Sequence, residues 1–341
     1  MIAIKTDGNT TIGSGHIMRC ISIANEIRAD NMDVLFICTD DCSAQIIRSF
    51  GFAAEITNGI YNHPDAETEK LLYILKEHHI SKILVDSYYV TPGYLSEIRK
   101  QAKLFYIDDL AAFHYPVDVL INYNINYDDY IYEGIYKTEK LILGPKYAPL
   151  RKEFQGISPI RIKDKVESIM ITTGGTDPFN ISGRVLDAAA RDDAFTDVKF
   201  DVIIGKFNQS EAYLARAAEH NPNIRLHENA VISEIMLHSD IAVSAGGSTV
   251  YELCVCGLPS VLFSFADNQR KPCEAFKAKN VALYAGDYAA AQANDVNRII
   301  DSLKELMINR ATRQRLHGNA LQVTDGRGAQ RIAQEMLKMQ P

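Results

Sequence analysis

The sequence predicts an α/β protein of two Rossmann-like, doubly wound domains facing a central cleft. Three observations lead there. Short apolar runs rich in β-branched residues alternate with amphipathic stretches along nearly all of the 341 residues, the pattern of parallel strands covered by helices on both sides. That length exceeds what one core serves, since single cores stop growing at roughly 250–300 residues. One segment, "GPKYAPLRKEFQGISPIRIKDK", interrupts the alternation with three prolines and mixed charge. It reads as a linker and sets the domains at 1–155 and 156–341.

Taken in order, the first-domain strands are "IAIKT", "DVLFICT", "KILVDS", "KLFYIDD" and "DVLINY". Their near-continuous apolar character suits strands buried on both faces. Helices are expected between them over 16–29, 42–50, 67–79 and 92–102. The first of these puts Ile17, Cys20, Ile21, Ala24 and Ile27 on one face at the helical period. In the second domain the strands are "SIMITTG", "KFDVIIG", "IRLHE", "DIAVSAG", "PSVLFSF" and "VALYAG". Helices follow near 180–190, 210–219, 232–238, 248–256 and 270–279, with two more after 290. Ligands of such sheets bind beyond the C-terminal strand ends, and every chemical-looking motif here lies at a strand end.

A net charge of −7 argues against a nucleic-acid or anionic-membrane surface. No run of about 18 apolar residues offers a transmembrane helix. The start reads as a strand and a loop rather than a signal peptide, so a cytoplasmic protein is expected. No obligatory protein partner is evident. The six cysteines, Cys20, Cys38, Cys42, Cys254, Cys256 and Cys273, are scattered and never form CxxC. They read as buried reduced thiols, with no metal site.

In "IGSGHIMRC" (12–20) a glycine turn at Gly13 and Gly15 leads into a helix beginning near His16. Glycine allows φ > 0 and close ligand approach. A helix N-terminus disfavours an imidazolium, so His16 is expected to present the neutral ring that a general base needs; a plain helix cap is the alternative. The third glycine of GxGxxG is replaced by Met18, which disfavours a nicotinamide or flavin cofactor, and no cofactor is expected. In the second domain, "ITTGGTDPFN" carries Gly174 and Gly175. "SAGGSTVYELCVCGLPSV" carries Gly246, Gly247, Ser248, Thr249 and Glu252. Bare amides and two hydroxyls at a helix start suit a diphosphate, and Glu252 one turn on can accept from ribose hydroxyls; helix-start chemistry is the competing role for Ser248 and Glu252. Strand ends also carry Asp86, Ser87 and Tyr88, and Asp267, Asn268 and Gln269. Asp108, Asp109 and His114 suggest either a metal or acid/base site or ordinary turn caps.

These motifs, with "LVDSYYVTPGYL", "YIDDLA", "LGPKYAPLRKEF" and "ADNQ", resemble the nucleotide-sugar hydrolases of pseudaminic-acid biosynthesis, the PseG family, over nearly the whole chain. That resemblance implies a GT-B-like fold related to the peptidoglycan N-acetylglucosaminyltransferase. It also implies metal-free release of UDP, with inversion, from UDP-2,4-diacetamido-2,4,6-trideoxy-β-L-altropyranose. His16 takes the position of the catalytic base that activates water. Gly15, Tyr88 and Asn268 fall on the sugar side, and Gly174, Gly246, Gly247, Ser248, Thr249 and Glu252 on the UDP side. Lys5 and Tyr251 depart from the family pattern, which has arginine and more often tryptophan there. The rival readings are a GT-B glycosyltransferase with a UDP-sugar donor, a sugar-nucleotide epimerase and a non-catalytic sugar-nucleotide binder.

Overall fold

The computed structural model describes residues 1–9, 12–289 and 296–340. The chain forms two compact units, Met1–Arg151 with Arg327–Pro341, and Lys152–Gly326.

In the first unit the elements run β1 (Ile2–Thr6), α1 (Gly15–Ala29), β2 (Val34–Cys38), α2 (Asp41–Ser49), β3 (Ala53–Ile56), α3 (Thr68–Glu77), β4 (Lys82–Asp86), α4 (Pro92–Arg99), β5 (Lys103–Ile107), β6 (Val119–Asn122), α5 (Tyr132–Ile135) and β7 (Lys140–Leu143). The sheet is parallel throughout, in the order β3-β2-β1-β4-β5-β6-β7. β1 and β4 are buried along their whole length, as strands covered on both faces must be. One side of the core gathers Ile37, Ile83, Val85 and Leu104 from strands with Leu71, Leu95 and Ile98 from helices.

The second unit runs β8 (Ser168–Thr172), α6 (Ile181–Ala189), β9 (Lys199–Ile203), α7 (Glu211–His220), β10 (Ile224–His227), α8 (Ile232–His238), β11 (Ile241–Ala245), α9 (Thr249–Cys256), β12 (Ser260–Ser264), α10 (Asp267–Ala278), β13 (Leu283–Asp287), α11 (Asn297–Ile308) and α12 (Arg310–Ala320). Its parallel sheet has the order β10-β9-β8-β11-β12-β13. Ile169, Ile171, Val243, Val261 and Phe263 form the strand side of its core, against Val185, Leu214 and Leu303.

Each sheet therefore reverses its strand order once, between β1 and β4 and between β8 and β11. The loops beyond those strand pairs are the favoured ligand positions of doubly wound sheets.

The structure differs from the sequence reading in several places. The final helix, α13 (Gly328–Lys338), belongs to the first unit rather than to the domain it follows in sequence. It packs on α1. Lys82 Nζ donates to the carbonyls of Met336 (2.9 Å) and Leu337 (3.1 Å) at its C-terminus. Gly328 lies so close to the Ala148 carbonyl that an added Cβ would sit 2.1 Å from it. β3 and β7 extend the first sheet beyond the expected strands; both are four-residue edge strands, too short for a clear period. Five of the six cysteines are buried and all six are free, but Cys42 is exposed, in the first turn of α2.

Candidate functional site

The loop after β1 folds back on itself: Gly13 N–H donates to the Asn9 carbonyl (2.8 Å) and the Asn9 side chain accepts from Ile12 N–H (3.1 Å). Gly13 has φ +73, which is why glycine stands there. Gly15 starts α1 and faces open space. His16 follows in the first turn, 5% exposed. Its Nδ1 lies 2.7 Å from Asp86 Oδ1 at the end of β4. Adjacency of β1 and β4 brings these groups together although they are 70 residues apart. Arg19 Nη2, which can only donate, also lies 3.1 Å from Nδ1, but the nearer carboxylate of Asp86 favours Nδ1–H as the donor, which leaves Nε2 as the accepting nitrogen. Among the described residues nothing bonds Nε2.

Arg19, one turn along α1, locks this pair. Its Nε donates to Asp86 Oδ2 (2.6 Å) and its Nη2 to Asp86 Oδ1. Nη1 bonds the Tyr123 hydroxyl and pairs with Asp109 Oδ2 at 2.8 Å. Burial alone would push the Asp86 carboxyl up, but Arg19 and His16 outweigh it and hold the group well below the usual carboxylate range. Burial likewise opposes the Arg19 charge, and Asp109 and Asp86 more than restore it. Tyr88 packs its ring edgewise on His16, centroids 4.4 Å apart. Burial, then the charge of Asp109, pushes its phenol well up, so it stays a hydrogen-bond donor. A small pocket open to solvent is lined by Asp7, Ile12, His16, Tyr61, Asp86, Ser87, Tyr88 and Tyr89.

The adjacent acids divide their roles. Asp108 accepts the amides of Leu110 (2.8 Å) and Ala111 (2.9 Å) and the Tyr132 hydroxyl (2.5 Å); it is a buried turn cap. Asp109 is held by Arg19 and by Asn124 Nδ2 (3.0 Å). His114 is exposed and stacks on Tyr136. Among the described residues no group of three or more His, Cys, Asp or Glu side chains forms a metal cage. No helix among them is long and apolar enough to cross a membrane.

The second unit collects the other motif residues around β8 and β11. Gly174 has φ +80 and donates its amide to Thr172 Oγ1 (3.3 Å). Gly205, a residue without a role in the sequence reading, lets this turn lie on the end of β9: a Cβ there would sit 2.1 Å from the Gly174 carbonyl. The two glycines after β11 differ from the expectation of bare amides. Gly246 N–H is spent on the Phe263 carbonyl (2.9 Å) and Gly247 N–H on that of Ala245 (2.8 Å). Glycine is required at 246 by packing, since a Cβ would come 2.2 Å from Cys273 Sγ, whereas at 247 a Cβ would meet nothing within 4 Å. The amides without a partner among the described residues are those of Ser248 and Thr249 at the head of α9. Ser248 is exposed and its hydroxyl caps nothing, which sets aside the simple-cap role. Glu252 is buried in the first turn of α9. Tyr251 is a core residue, its ring 5.4 Å from Phe276. Asn268 lies in the first turn of α10, half-buried, after β12. The structure thus joins His16, Gly15 and Tyr88 in one unit and holds the glycine block, Glu252 and Asn268 in the other.

Residues 168–335 match the glycosyltransferase family 28 C-terminal domain. The match begins with β8 and reaches into α13. Among curated proteins, an uncharacterised protein of Methanocaldococcus jannaschii is 26% identical over 288 residues, 79% of this chain, and the chain spans only 57% of its length. The spore coat polysaccharide biosynthesis protein SpsG of Bacillus subtilis is 21% identical over 345 residues, 97% of this chain and 96% of that protein. Among solved structures, MurG of Acinetobacter baumannii superposes with a TM-score of 0.69 at 13% identity, covering 99% of both chains. The spinosyn rhamnosyltransferase SpnG complexed with thymidine diphosphate gives 0.66 at 10% identity, covering 98% of this chain and 99% of that one. The fold is that of the GT-B glycosyltransferases, with two parallel-sheet Rossmann-like domains.

Several residues of the first site carried no role in the sequence reading, Arg19, Asp7 and Tyr61 among them. Arg19 stands three positions after His16, so the two share a helix face, and a charged residue on an otherwise apolar face was the available signal. Asp7 and Tyr61 gave none, because only the fold brings their loops to the pocket.

Proposed function

We propose that the protein hydrolyses a UDP-linked 2,4-diacetamido-2,4,6-trideoxy sugar to free sugar and UDP, with inversion and without a metal. The observation that carries this reading is the His16–Asp86 pair at the edge of an open pocket. Asp86 fixes the ring and its tautomer. Nε2 of His16 then takes a proton from water as the water attacks the anomeric carbon. The C1–O bond breaks and the electron pair leaves with UDP; inversion follows from attack opposite the leaving group. Tyr88 packs the ring into place and presents a phenol to the sugar, and Gly15 leaves room for it.

The reading assigns UDP to the second unit. The amides of Ser248 and Thr249, the Ser248 hydroxyl and the N-terminal dipole of α9 stabilise the charge that grows on the diphosphate. Gly174 shapes the neighbouring turn, Gly246 lets the loop pack on Cys273, Gly247 lets the diphosphate come close, Glu252 takes the ribose hydroxyls and Asn268 the sugar side. The match to a glycosyltransferase 28 domain supports a sugar-nucleotide ligand, and the SpsG likeness supports a place in polysaccharide sugar metabolism.

The same match favours one second reading, transfer of the sugar to an acceptor hydroxyl deprotonated by His16. Incubation with the UDP-sugar in the absence of any acceptor, following UDP release and the product anomer by NMR, separates the two. The hydrolase reading expects stoichiometric UDP and the inverted free sugar; UDP that appears only when an acceptor alcohol is added establishes the transferase.

A further inference from the structure

We infer that Asp109 is a positioning residue for the His16 base: acting through Arg19, it supplies the negative charge against which Nε2 takes up its proton. The inference rests on the reading of His16 as a base and gives a role to an acid that the proposed chemistry leaves unused.

Arg19 Nη2 lies 3.1 Å from His16 Nδ1, so a buried cation stands against the ring that must itself become cationic. Asp86 alone does not offset this. It is the bidentate partner of Arg19 and the acceptor for Nδ1 at once. With His16 neutral, these three groups sum to zero, and a proton on Nε2 would leave a net positive charge in a buried setting, which is costly. Asp109 changes the count. Its Oδ2 pairs at 2.8 Å with Nη1, the other terminal nitrogen of the guanidinium, and its side chain is only 8% exposed. The four groups together carry one excess negative charge when His16 is neutral and none when it is protonated. Proton uptake then neutralises the cluster instead of charging it.

The surroundings hold Asp109 to this task. Asn124 Nδ2 donates to its Oδ1 (3.0 Å), and the Asn124 amide is itself tied to Asn122 Oδ1 (2.9 Å) at the end of β6. The neighbouring Asp108 spends its oxygens on the amides of Leu110 and Ala111 and on the Tyr132 hydroxyl, so of the two adjacent acids Asp109 is the one that meets Arg19. The Tyr123 hydroxyl shares Nη1 with Asp109 as an uncharged acceptor. The other titratable groups around the ring do not duplicate the role. Tyr88 packs on it from the loop after β4, Cys20 Sγ donates to Asp86 from α1 (3.4 Å), and burial pushes the Tyr88 phenol, the Cys20 thiol and the Tyr123 phenol up, so all three stay neutral. Across the pocket Asp7 is matched by Lys5 at 2.6 Å, and Tyr61 and Tyr89 complete the lining.

The test is an NMR titration of the His16 imidazole, its signals assigned by their loss in His16→Asn, run beside the pH profile of UDP release. Asp109→Asn is expected to lower the midpoint of His16 protonation by about one pH unit, and Arg19→Gln to raise it by at least about as much. The opposite signs separate charge from damage, because a site that merely loosens moves both variants the same way, toward an ordinary histidine. Each variant predicts its own direction, so either one suffices if the other does not fold. Tyr123→Phe removes the uncharged partner of the same nitrogen and is expected to hold the midpoint within about 0.3 of the wild-type pH. The acid limb of kcat/KM reports the base of the free enzyme and is expected to move to lower pH in Asp109→Asn. Midpoints that stay in place, or that move in the same direction in both charge variants, overturn the role of Asp109. The titration needs no turnover, so a wild-type protein that releases no UDP refutes the hydrolase reading while the midpoints still judge Asp109.

Discussion

Beyond β1 and β4 the first unit gathers His16, Arg19, Asp86 and Asp109 into a buried, interlinked cluster. Beyond β8 and β11, at the equivalent place in a sheet of equivalent order, the second unit presents Gly247, Ser248 and Thr249 around open space. The contrast separates two ways of meeting a ligand. A base must be held in one orientation and one tautomer before the substrate arrives, and paired charges in a dry setting do that at a cost in desolvation. A site for a diphosphate receives its charge with the ligand, so it needs amides, room and no side chain in the way. The first crossover is built on linked charges, the second on amides and hydroxyls with Glu252 one turn behind them.

The sharpest way to break this comparison is to remove the centre of the charged cluster. Asp86→Ala leaves Arg19 without its bidentate partner, and loss of one member of a buried pair is expected to cost about 3–5 kcal/mol in urea unfolding. The same carboxylate sets an acid limb. Its pKa is lowered on folding, so its contribution is complete above the ordinary carboxylate value near pH 4 and is lost as pH falls toward the folded value. Wild-type stability should fall more steeply below roughly pH 4 than that of Asp86→Asn, with the difference between the two curves isolating this group from Asp108, which burial pushes the other way. Parallel curves would show that Asp86 is not held as a charged partner.

The glycine pair sharpens the comparison from the other side. Gly246→Ala drives a methyl into Cys273 Sγ and should cost roughly 1–3 kcal/mol, recovered in large part by adding Cys273→Ala. Gly247→Val, where a Cβ meets nothing, should leave the melting temperature within a degree or two while weakening UDP about tenfold or more by calorimetry. Equal effects of the two substitutions on stability would erase the distinction between a packing glycine and a ligand-facing one. Unchanged UDP affinity in folded Gly247→Val would place the diphosphate elsewhere.

Sequence alone makes much of this fold legible, for a physical reason. Strands buried on both faces, such as "KILVD" and "IAVSA", are apolar on both faces through their middle, and that signal survives without any partner. The edge strands "AAEI" and "KLIL" carry only four residues each and little constraint. Two helices are expected after residue 290 and three form among the described residues, and which sheet the last one covers depends on Lys82 and Ala148 far away in the chain. The site follows the same rule. His16 is legible because a glycine turn and a helix start are local features. Its partnership with Asp86 is not, because it arises from the β1–β4 pairing. At Gly246 and Gly247 the motif is plain and the reason for each glycine is not: one answers to Cys273 and the other to open space.

The division of labour between the two crossovers is tested most directly by His16→Asn, measured twice: UDP release from UDP-2,4-diacetamido-2,4,6-trideoxyhexose without acceptor, and UDP affinity by calorimetry. Removing a general base should slow release by roughly 10²–10⁴-fold, while UDP binds within about twofold of the wild type. A variant that turns over at the wild-type rate, or one that loses UDP binding in step with its activity, contradicts the assignment of base and nucleotide to separate units.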